Sequence, residues 1–308
     1  MITALESKSG MNSKDKKIKK STPPLAYSIA RLMRPKQWVK NGFVLAPLIF
    51  TGLFVNSEAI SKTLLITFLF CIASSAVYVL NDIRDIEHDR KHPKKSQTRP
   101  LASGALSIAQ AVILLIVLYI ILGIGSFFLP KASLVLFAYI ALNIGYSFYL
   151  KYQPVLDIFT IAIGFVLRVF AGATVLDVPV SAWMFVTTLC LALFLAAIKR
   201  RQELQDSGMA GREVLKSYSI PLVNRFAEMA ATGALVFYSL FVVTTRPELA
   251  ITIPVVLFGI YRYWYIVEML DGGESPTDAL FSDRQLLITI LIWIGTSAWI
   301  ITSGQTLI

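Results

Sequence analysis

The chain has 308 residues, of which 56% are hydrophobic and only 16% are charged, and its mean hydropathy is +0.65. This composition excludes an ordinary soluble domain and predicts an α-helical protein with several membrane-spanning helices. The formal net charge is +10, from 29 Lys and Arg against 19 Asp and Glu. In a membrane protein such a charge indicates topology and a preference for anionic lipids and substrates, and nothing in the pattern indicates binding of nucleic acid.

The first 24 residues differ from the rest of the chain. They are polar, with a lysine-rich cluster from Lys14 to Lys20, and they lack the apolar core of a signal peptide. We therefore expect a disordered basic arm over residues 1–24 rather than a cleaved leader. Residues 25–308 are expected to form one transmembrane domain.

Apolar runs of membrane-spanning length recur along this domain. They cover about 43–55 (a short run that its flanks extend), 63–80, 108–129, 132–150, 155–176, 182–198, 228–245, 249–267 and 286–303. The polar ends of spans two and six lie about 118 residues apart, and those of spans four and eight have a similar spacing. These features predict an all-α polytopic membrane protein, with nine transmembrane helices in two four-helix-like units around a cavity open to the cytoplasm.

The basic residues predict how this bundle is oriented. With nine spans, 25 of the 29 Lys and Arg fall on one side, while Lys62, Lys131 and Arg246 fall on the other and Arg168 lies inside span five. Loops rich in Lys and Arg stay in the cytoplasm. We therefore expect a multi-pass protein of the inner (cytoplasmic) membrane, with a cytoplasmic N-terminus and a functional site that faces the cytoplasm.

The strongest chemical signal is an acidic segment where the second apolar run ends. On a continuous helix, Asn81, Asp82, Asp85 and Asp89 would share an arc of about 100°. Clustered carboxylates repel one another unless a cation lies among them, and oxygen ligands suit a hard divalent ion such as Mg²⁺, usually with a phosphorylated substrate. We expect these four residues to form a catalytic metal site. The alternative is a solvated acidic helix end.

A basic and amide-rich block precedes the first span. Three cations within seven residues could hold phosphate groups or could simply flank the span, and the two amides favour binding because amides contribute nothing to topology. The candidates for substrate binding in this block are Arg34, Lys36, Gln37, Lys40 and Asn41.

Charged residues elsewhere supply further candidates. Lys199, Arg200 and Glu203 share one side of a helix after span six and could bind a phosphate, bind a second metal or form a ladder of surface salt bridges. Arg168 lies eleven residues after Asp157 on the same helical face, where a charge should face substrate or an acidic partner inside the bundle. The remaining candidates for substrate binding are Arg99, Tyr146, Lys151, Arg262 and Asp271, the last of which begins a loop that is either a lid or a connector.

Several of these motifs together resemble the UbiA superfamily of intramembrane prenyltransferases. They resemble most closely the branch that transfers a phosphoribosyl group to a polyprenyl phosphate. The matching segments are RPKQWVKN (34–41), NDIRDIEHDRKHPKKSQTRPLASG (81–104), YSFYLKYQPVLDIF (146–159), LRVFAGA (167–173) and the DGG and PTDALFSDR pieces of 271–284. The likeness runs from about Arg31 to about Ile301.

The resemblance implies a reaction and its partners. It implies Mg²⁺-dependent transfer of 5-phosphoribose from phosphoribosyl pyrophosphate to a decaprenyl-type polyprenyl phosphate in the bilayer, with release of pyrophosphate. The lipid product would serve arabinofuranose or related sugar donors of the cell envelope. The aspartate motif would bind Mg²⁺ and the diphosphate group, and a homo-oligomer is also compatible with the sequence.

The chain departs from the superfamily after span six, and two other functions stay open. The segment KRRQELQD replaces the second aspartate-rich motif of ordinary prenyltransferases, and Arg201 and Gln202 replace the Tyr and Ala of the KRYAEL pattern of the branch. One alternative is prenyl transfer from a prenyl diphosphate to an aromatic acceptor. The other is a transporter or lipid-binding protein without enzymatic activity, for which a carboxylate cluster facing the cytoplasm would have little use.

Overall fold

The computed structural model describes residues 24–91, 95–207, 213–270 and 276–305. Every regular element in these ranges is a helix, which confirms the all-α prediction. The α-helices are α1 (Leu25–Met33), α2 (Ala46–Phe50), α3 (Ser57–Arg84), α4 (Ile86–Lys91), α5 (Lys95–Thr98), α6 (Ile108–Phe128), α7 (Pro130–Phe148), α8 (Leu156–Val175), α9 (Ala182–Ser207), α10 (Ile220–Thr245), α11 (Ile253–Met269), α12 (Pro276–Ser282) and α13 (Arg284–Gln305). Short 3-10 helices cover Pro35–Leu45, Leu53–Val55, Leu150–Tyr152, Glu213–Ser217 and Pro247–Thr252.

Eight helices in the described ranges are long and apolar enough to cross a membrane. They are α3, α6, α7, α8, α9, α10, the stretch Pro247–Met269 that contains α11, and α13. These eight helices coincide with predicted spans two to nine, so the chain is a multi-pass membrane protein. The count of nine is not confirmed, and the proposed basic arm lies almost wholly outside the described residues.

The residues predicted to form the first span are arranged differently. The 3-10 helix Pro35–Leu45 leads into the five-residue α2, and the chain then turns at Gly52, whose φ is 76°. This segment packs against α3 and α8. It approaches α8 closely at Gly172, where a Cβ atom would collide with the backbone carbonyl of Val44. The packing brings the end of the basic block against the helices that surround the cavity described below.

The aspartate motif does not lie on one continuous helix. α3 begins at Ser57 and is capped by Asn56, whose side chain accepts a hydrogen bond from the Ala59 N–H at 3.0 Å. It ends at Arg84, because Asp85 leaves the helical conformation with φ −91° and ψ 10°, and α4 starts at Ile86. The expected arc of four side chains is therefore interrupted at Asp85, and Asp89 lies on a separate short helix.

The two largest of the four apolar cores in the described ranges correspond to the two predicted units of the bundle. The first core is built mainly from α3, α6 and α7, and the second from α9, α10, α11 and α13. Helix α8 joins them, because its Ala171 and Val175 belong to the first core and its Ile158 to the second. The polar ends of α3, α7, α8 and α9 meet at this junction.

Candidate active site

A cavity of about 190 Å³ lies between α3, α7, α8 and α9. Ten predicted site residues line it, namely Arg34, Lys40, Asn81, Asp82, Asp85, Arg99, Tyr146, Lys151, Arg168 and Lys199. Among the described wall residues six side chains are basic and two are acidic. A cavity with this excess of positive charge attracts anions. We call the end near Asp82 and Asp85 the outer end, and the end near Arg168 the inner end.

Two carboxylates of the motif converge on one arginine at the outer end. The buried Asp82 accepts hydrogen bonds from Arg34 Nη2 at 2.5 Å and from Arg99 Nη1 at 3.1 Å. The same Arg99 nitrogen donates to the buried Asp89, and Lys95 Nζ lies 4.0 Å from that carboxylate. Asp82 and Asp89 therefore point toward a shared cation, although Asp89 itself does not line the cavity.

Asp85 points to a different cation. Both of its oxygens accept hydrogen bonds from Lys151 Nζ, at 3.1 and 3.2 Å. Lys151 lies in the 3-10 turn Leu150–Tyr152 between α7 and α8. The neighbouring Arg84 fastens α3 to the end of α7, since its guanidinium donates to the Ser147 carbonyl and lies 4.1 Å from the Phe148 ring centroid. The expected convergence of Asp82, Asp85 and Asp89 is therefore not seen.

The side chains available as ligands decide whether the outer end of the cavity fits a metal ion. Among the described residues, no group of three His, Cys, Asp or Glu side chains is placed to hold a metal ion together. Asp82 and Asp89 nevertheless share one cationic partner, and carboxylate oxygens are the ligands that Mg²⁺ prefers. This pair fits a hard divalent ion; along the chain, Asn81 precedes the pair and Asp85 lies between its two members.

The inner end of the cavity is dominated by Arg168. Its side chain is buried and donates to three neutral acceptors: the Asn41 side-chain oxygen at 2.8 Å, the Gly164 carbonyl at 2.8 Å and the Tyr139 hydroxyl at 3.0 Å. Asn41 does not line the cavity but is fully buried behind it, where its amide also reaches Cys71 Sγ at 3.2 Å. Asn41 therefore orients Arg168.

A second set of predicted binding residues forms a buried network behind the wall. The fully buried Arg200 donates to Asp157 Oδ2 at 2.5 Å, to Glu203 Oε2 at 2.5 Å and to the Tyr146 hydroxyl at 2.9 Å. Of these four residues only Tyr146 lines the cavity. Asp157, Arg200 and Glu203 were predicted to bind substrate, and this part of the prediction is not supported. Arg200 faces away from the wall because it is rotated about 100° from its neighbour Lys199, which does line it.

Tyr218 belongs to the same network and was not predicted. Its hydroxyl donates to Asp157 Oδ1 at 2.6 Å and accepts the Val155 N–H at 2.6 Å. Val155 has a φ of 67°, a strained conformation for a β-branched residue. The hydroxyl therefore holds the turn that precedes α8. Tyr218 is 61 residues from Asp157, and no local pattern in the sequence indicates this contact.

The four remaining predicted residues also lie away from the cavity or outside the described residues. Lys36 is exposed and Gln37 is partly exposed, and neither lines the wall. Arg262 makes two hydrogen bonds to Asp283, at 3.1 and 2.6 Å, and so joins α11 to the start of α13. Asp271 lies outside the described residues.

The residues that depart from the branch pattern also face away from the cavity. Arg201 Nη2 pairs with Glu268 at 2.8 Å, and the Gln202 side chain donates to the Val267 carbonyl at 3.4 Å. Both contacts connect α9 with α11. The substitutions therefore alter helix packing rather than the wall of the cavity.

Several wall residues were missed because they lie within apolar runs. Tyr139 and Asn143 lie two turns and one turn before Tyr146 on α7. Thr160 and Gly164 lie two turns and one turn before Arg168 on α8. Residues three and four apart share one helical face. This spacing, counted from the predicted Tyr146 and Arg168, would have found them.

The chain is similar in sequence to two named enzymes and in structure to one solved protein. A decaprenyl-phosphate phosphoribosyltransferase of Corynebacterium glutamicum is 35% identical over 295 residues, covering 90% of this chain and 88% of that protein. The Mycolicibacterium smegmatis protein of the same name is 34% identical over 300 residues, covering 89% and 93%. The solved structure of a UbiA homologue from Archaeoglobus fulgidus bound to GPP and Mg²⁺ superposes with a TM-score of 0.70 at 19% identity, covering 89% of this chain and 99% of that one.

The structural likeness shows the fold, and the sequence matches show the family. The model of the UbiA prenyltransferase family, which is a transferase family, matches residues 44–287, the stretch that contains the aspartate motif and the four helices α3, α7, α8 and α9 around the cavity. The chain belongs to the UbiA prenyltransferase family.

Proposed function

We propose that the chain transfers 5-phosphoribose from phosphoribosyl pyrophosphate to a decaprenyl-type polyprenyl phosphate and releases pyrophosphate. The observation that carries this proposal is the charge of the cavity, whose described wall has six basic side chains and two acidic ones. Both substrates are phosphorylated, so such a wall can pair with their charges directly. The relatives named above, which match nine-tenths of the chain, support the same reaction.

The chemistry requires charge stabilisation more than proton transfer. An oxygen of the lipid phosphate attacks C1 of the ribose while the bond from C1 to the pyrophosphate oxygen breaks, and the bonding electron pair leaves with the pyrophosphate. The lipid phosphate is already ionised at neutral pH, so no general base is required. Arg34, Arg99 and Lys151 lie at the outer end, where they can stabilise negative charge on the departing pyrophosphate.

The carboxylates of the motif give this end a place for a divalent ion. Mg²⁺ held by Asp82 and Asp89 would neutralise part of the charge on the pyrophosphate. The two arginines that bond Asp82 orient its carboxylate at the wall. The Mg²⁺ bound in the Archaeoglobus fulgidus homologue supports use of a divalent ion within this fold.

The proposed reaction also requires the cavity to open to the side of the membrane where the soluble donor is found. The outer end of the cavity would face the cytoplasm, from which the soluble donor arrives, and the N-terminus would lie on the same side. The polyprenyl tail would stay in the bilayer of the cytoplasmic membrane. The lipid product would then supply pentofuranose groups, such as arabinofuranose, for the cell envelope.

A side-by-side donor test distinguishes this reaction from prenyl transfer. Purified protein with Mg²⁺ is given radioactive phosphoribosyl pyrophosphate and polyprenyl phosphates of several lengths, and in parallel a prenyl diphosphate with 4-hydroxybenzoate. We expect radioactive lipid only in the first reaction. Asp82→Asn should lower its rate by about a hundredfold or more, the usual scale for lost electrostatic stabilisation of a transition state.

The matched control is Glu87→Gln. Glu87 lies in the same motif but is exposed, and among the described residues it pairs only with Arg90, at 2.9 Å, so its replacement should leave the rate nearly unchanged. Product formed only from the prenyl diphosphate and the aromatic acceptor would overturn the proposal. A fully active Asp82→Asn protein would remove the role assigned to the motif.

A further inference from the structure

Arg168 is a buried cation whose charge no acidic side chain in the described ranges balances. Its side chain is 6% exposed, and within the described part of the chain it forms no ion pair. The rings of Tyr139 and Phe165 lie 4.7 and 5.2 Å from the guanidinium carbon, and the hydrogen-bond acceptors around it are neutral. These groups orient the guanidinium but do not neutralise it. A charge within the membrane is costly unless it faces a counter-ion or an aqueous cavity, and Arg168 lines the cavity.

Lys40 brings a second positive charge to the same region. It lines the cavity, and in the described ranges its ammonium group makes no hydrogen bond or ion pair. Burial is the main cause that lowers the pKa of Lys40 to about 8. Repulsion from Arg168 and then from Arg34 acts in the same direction, and Asp278 has a smaller, opposite effect. Two cations that repel each other across a cavity create a place where a dianion is stabilised.

These cations lie deeper than the aspartate motif. The Arg168 side chain turns back toward the Gly164 carbonyl, in the direction that helical side chains favour. Gly164 is seven residues beyond Asp157, which corresponds to about 10 Å along α8. Asp82, Asp85 and Lys151 lie at the outer end, so the cavity has positive charge at two separate levels.

We propose that Lys40 and Arg168 form an inner anion site that binds the 5-phosphate of the sugar donor. This assignment rests on the proposed function. Phosphoribosyl pyrophosphate has phosphate groups on both sides of its ribose, which matches a cavity with cations at both ends. A phosphomonoester provides two negative charges and three acceptor oxygens, enough to pair with an ammonium and a guanidinium together. The lipid phosphate fits less well, because Tyr139 and Phe165 enclose the inner end while its tail stays in the bilayer.

Equilibrium binding of three simple ligands to the full-length protein in detergent tests this site. The ligands are ribose 5-phosphate, inorganic pyrophosphate and farnesyl phosphate, each titrated by calorimetry into the wild type, Lys40→Met and Arg168→Gln. Lys36→Met is the matched control, because Lys36 lies on the same segment but is exposed and away from the wall. We expect Lys40→Met and Arg168→Gln each to weaken ribose 5-phosphate at least about tenfold. Pyrophosphate and farnesyl phosphate should change by less than about threefold, and Lys36→Met should change nothing.

The possible results distinguish a failure of the inner anion site from a failure of the proposed function. Equal losses for ribose 5-phosphate and pyrophosphate would overturn the inner site, as would a loss confined to farnesyl phosphate, which would assign these cations to the acceptor. If Arg168→Gln does not fold, the Lys40→Met titration decides alone. The expected selective loss in a protein that forms no product from phosphoribosyl pyrophosphate would support the site and refute the proposed function, because the site would then serve another phosphomonoester.

Discussion

Replacing Arg200 by Met should destabilise the fold rather than remove a substrate contact. Arg200 and Asp157 are both fully buried, and the guanidinium makes three hydrogen bonds, to Asp157, Glu203 and Tyr146. The Arg200→Met protein would keep the buried Asp157 carboxylate with the Tyr218 hydroxyl as its donor. Breaking a buried ion pair by removing one partner costs about 3–5 kcal/mol, because the other charge is left uncompensated.

Thermal unfolding in detergent, followed by tryptophan fluorescence, measures this cost. Because 1 kcal/mol changes the Tm of a large domain by about 2–4 °C, we expect Arg200→Met to lower the Tm by at least about 6 °C. Lys199→Met is the matched control, since Lys199 is the adjacent residue but lines the cavity. It should lower the Tm by less than about 2 °C and raise the KM for the donor. An Arg200→Met protein with an unchanged Tm but greatly weakened substrate binding would refute this account of the network.

Three further predictions follow from single contacts. Gly172→Ala should lower the Tm, because its Cβ would collide with the Val44 carbonyl, and thermal unfolding checks this. Ribose 5-phosphate should bind more weakly at pH 9 than at pH 7, because Lys40, with a pKa of about 8, loses its charge in this interval while the phosphate stays dianionic. In calorimetry, the affinity of the Lys40→Met protein for ribose 5-phosphate should depend less on pH. Tyr218→Phe should speed hydrogen exchange in residues 149–155, because the Val155 N–H loses its acceptor, and unchanged exchange there would contradict the role of this hydroxyl.

The sequence predicted the bundle and the gathering of charges at one end of it. The lengths of the apolar runs predicted eight spans that the structure contains, because a helix must be about 20 residues long to cross a bilayer. The ends of successive antiparallel helices meet at alternate faces of a bundle. Charges at the ends of separate spans, such as Asp82, Lys151 and Lys199, could therefore be expected to lie together.

The parts that were wrong depend on packing that a periodic pattern does not contain. Helical spacing grouped Lys199 with Arg200, but only the position of neighbouring helices decides which of the two faces the cavity. The break at Asp85 has no Gly or Pro to signal it. The run 43–55 was short for a span, and its path is set by the close contact at Gly172, far away in the sequence.

The central claim is tested most directly by following two positions of radioactive phosphorus in phosphoribosyl pyrophosphate. The protein, Mg²⁺ and a polyprenyl phosphate are incubated with donor labelled either in the 5-phosphate or in the β-phosphate, and the lipid and aqueous phases are counted. We predict that the 5-phosphate label enters the lipid, that the β-phosphate label is released in equal amount as pyrophosphate, and that C1 of the ribose is inverted. No label in the lipid, from a protein that transfers a prenyl group to an aromatic acceptor under the same conditions, would contradict the claim.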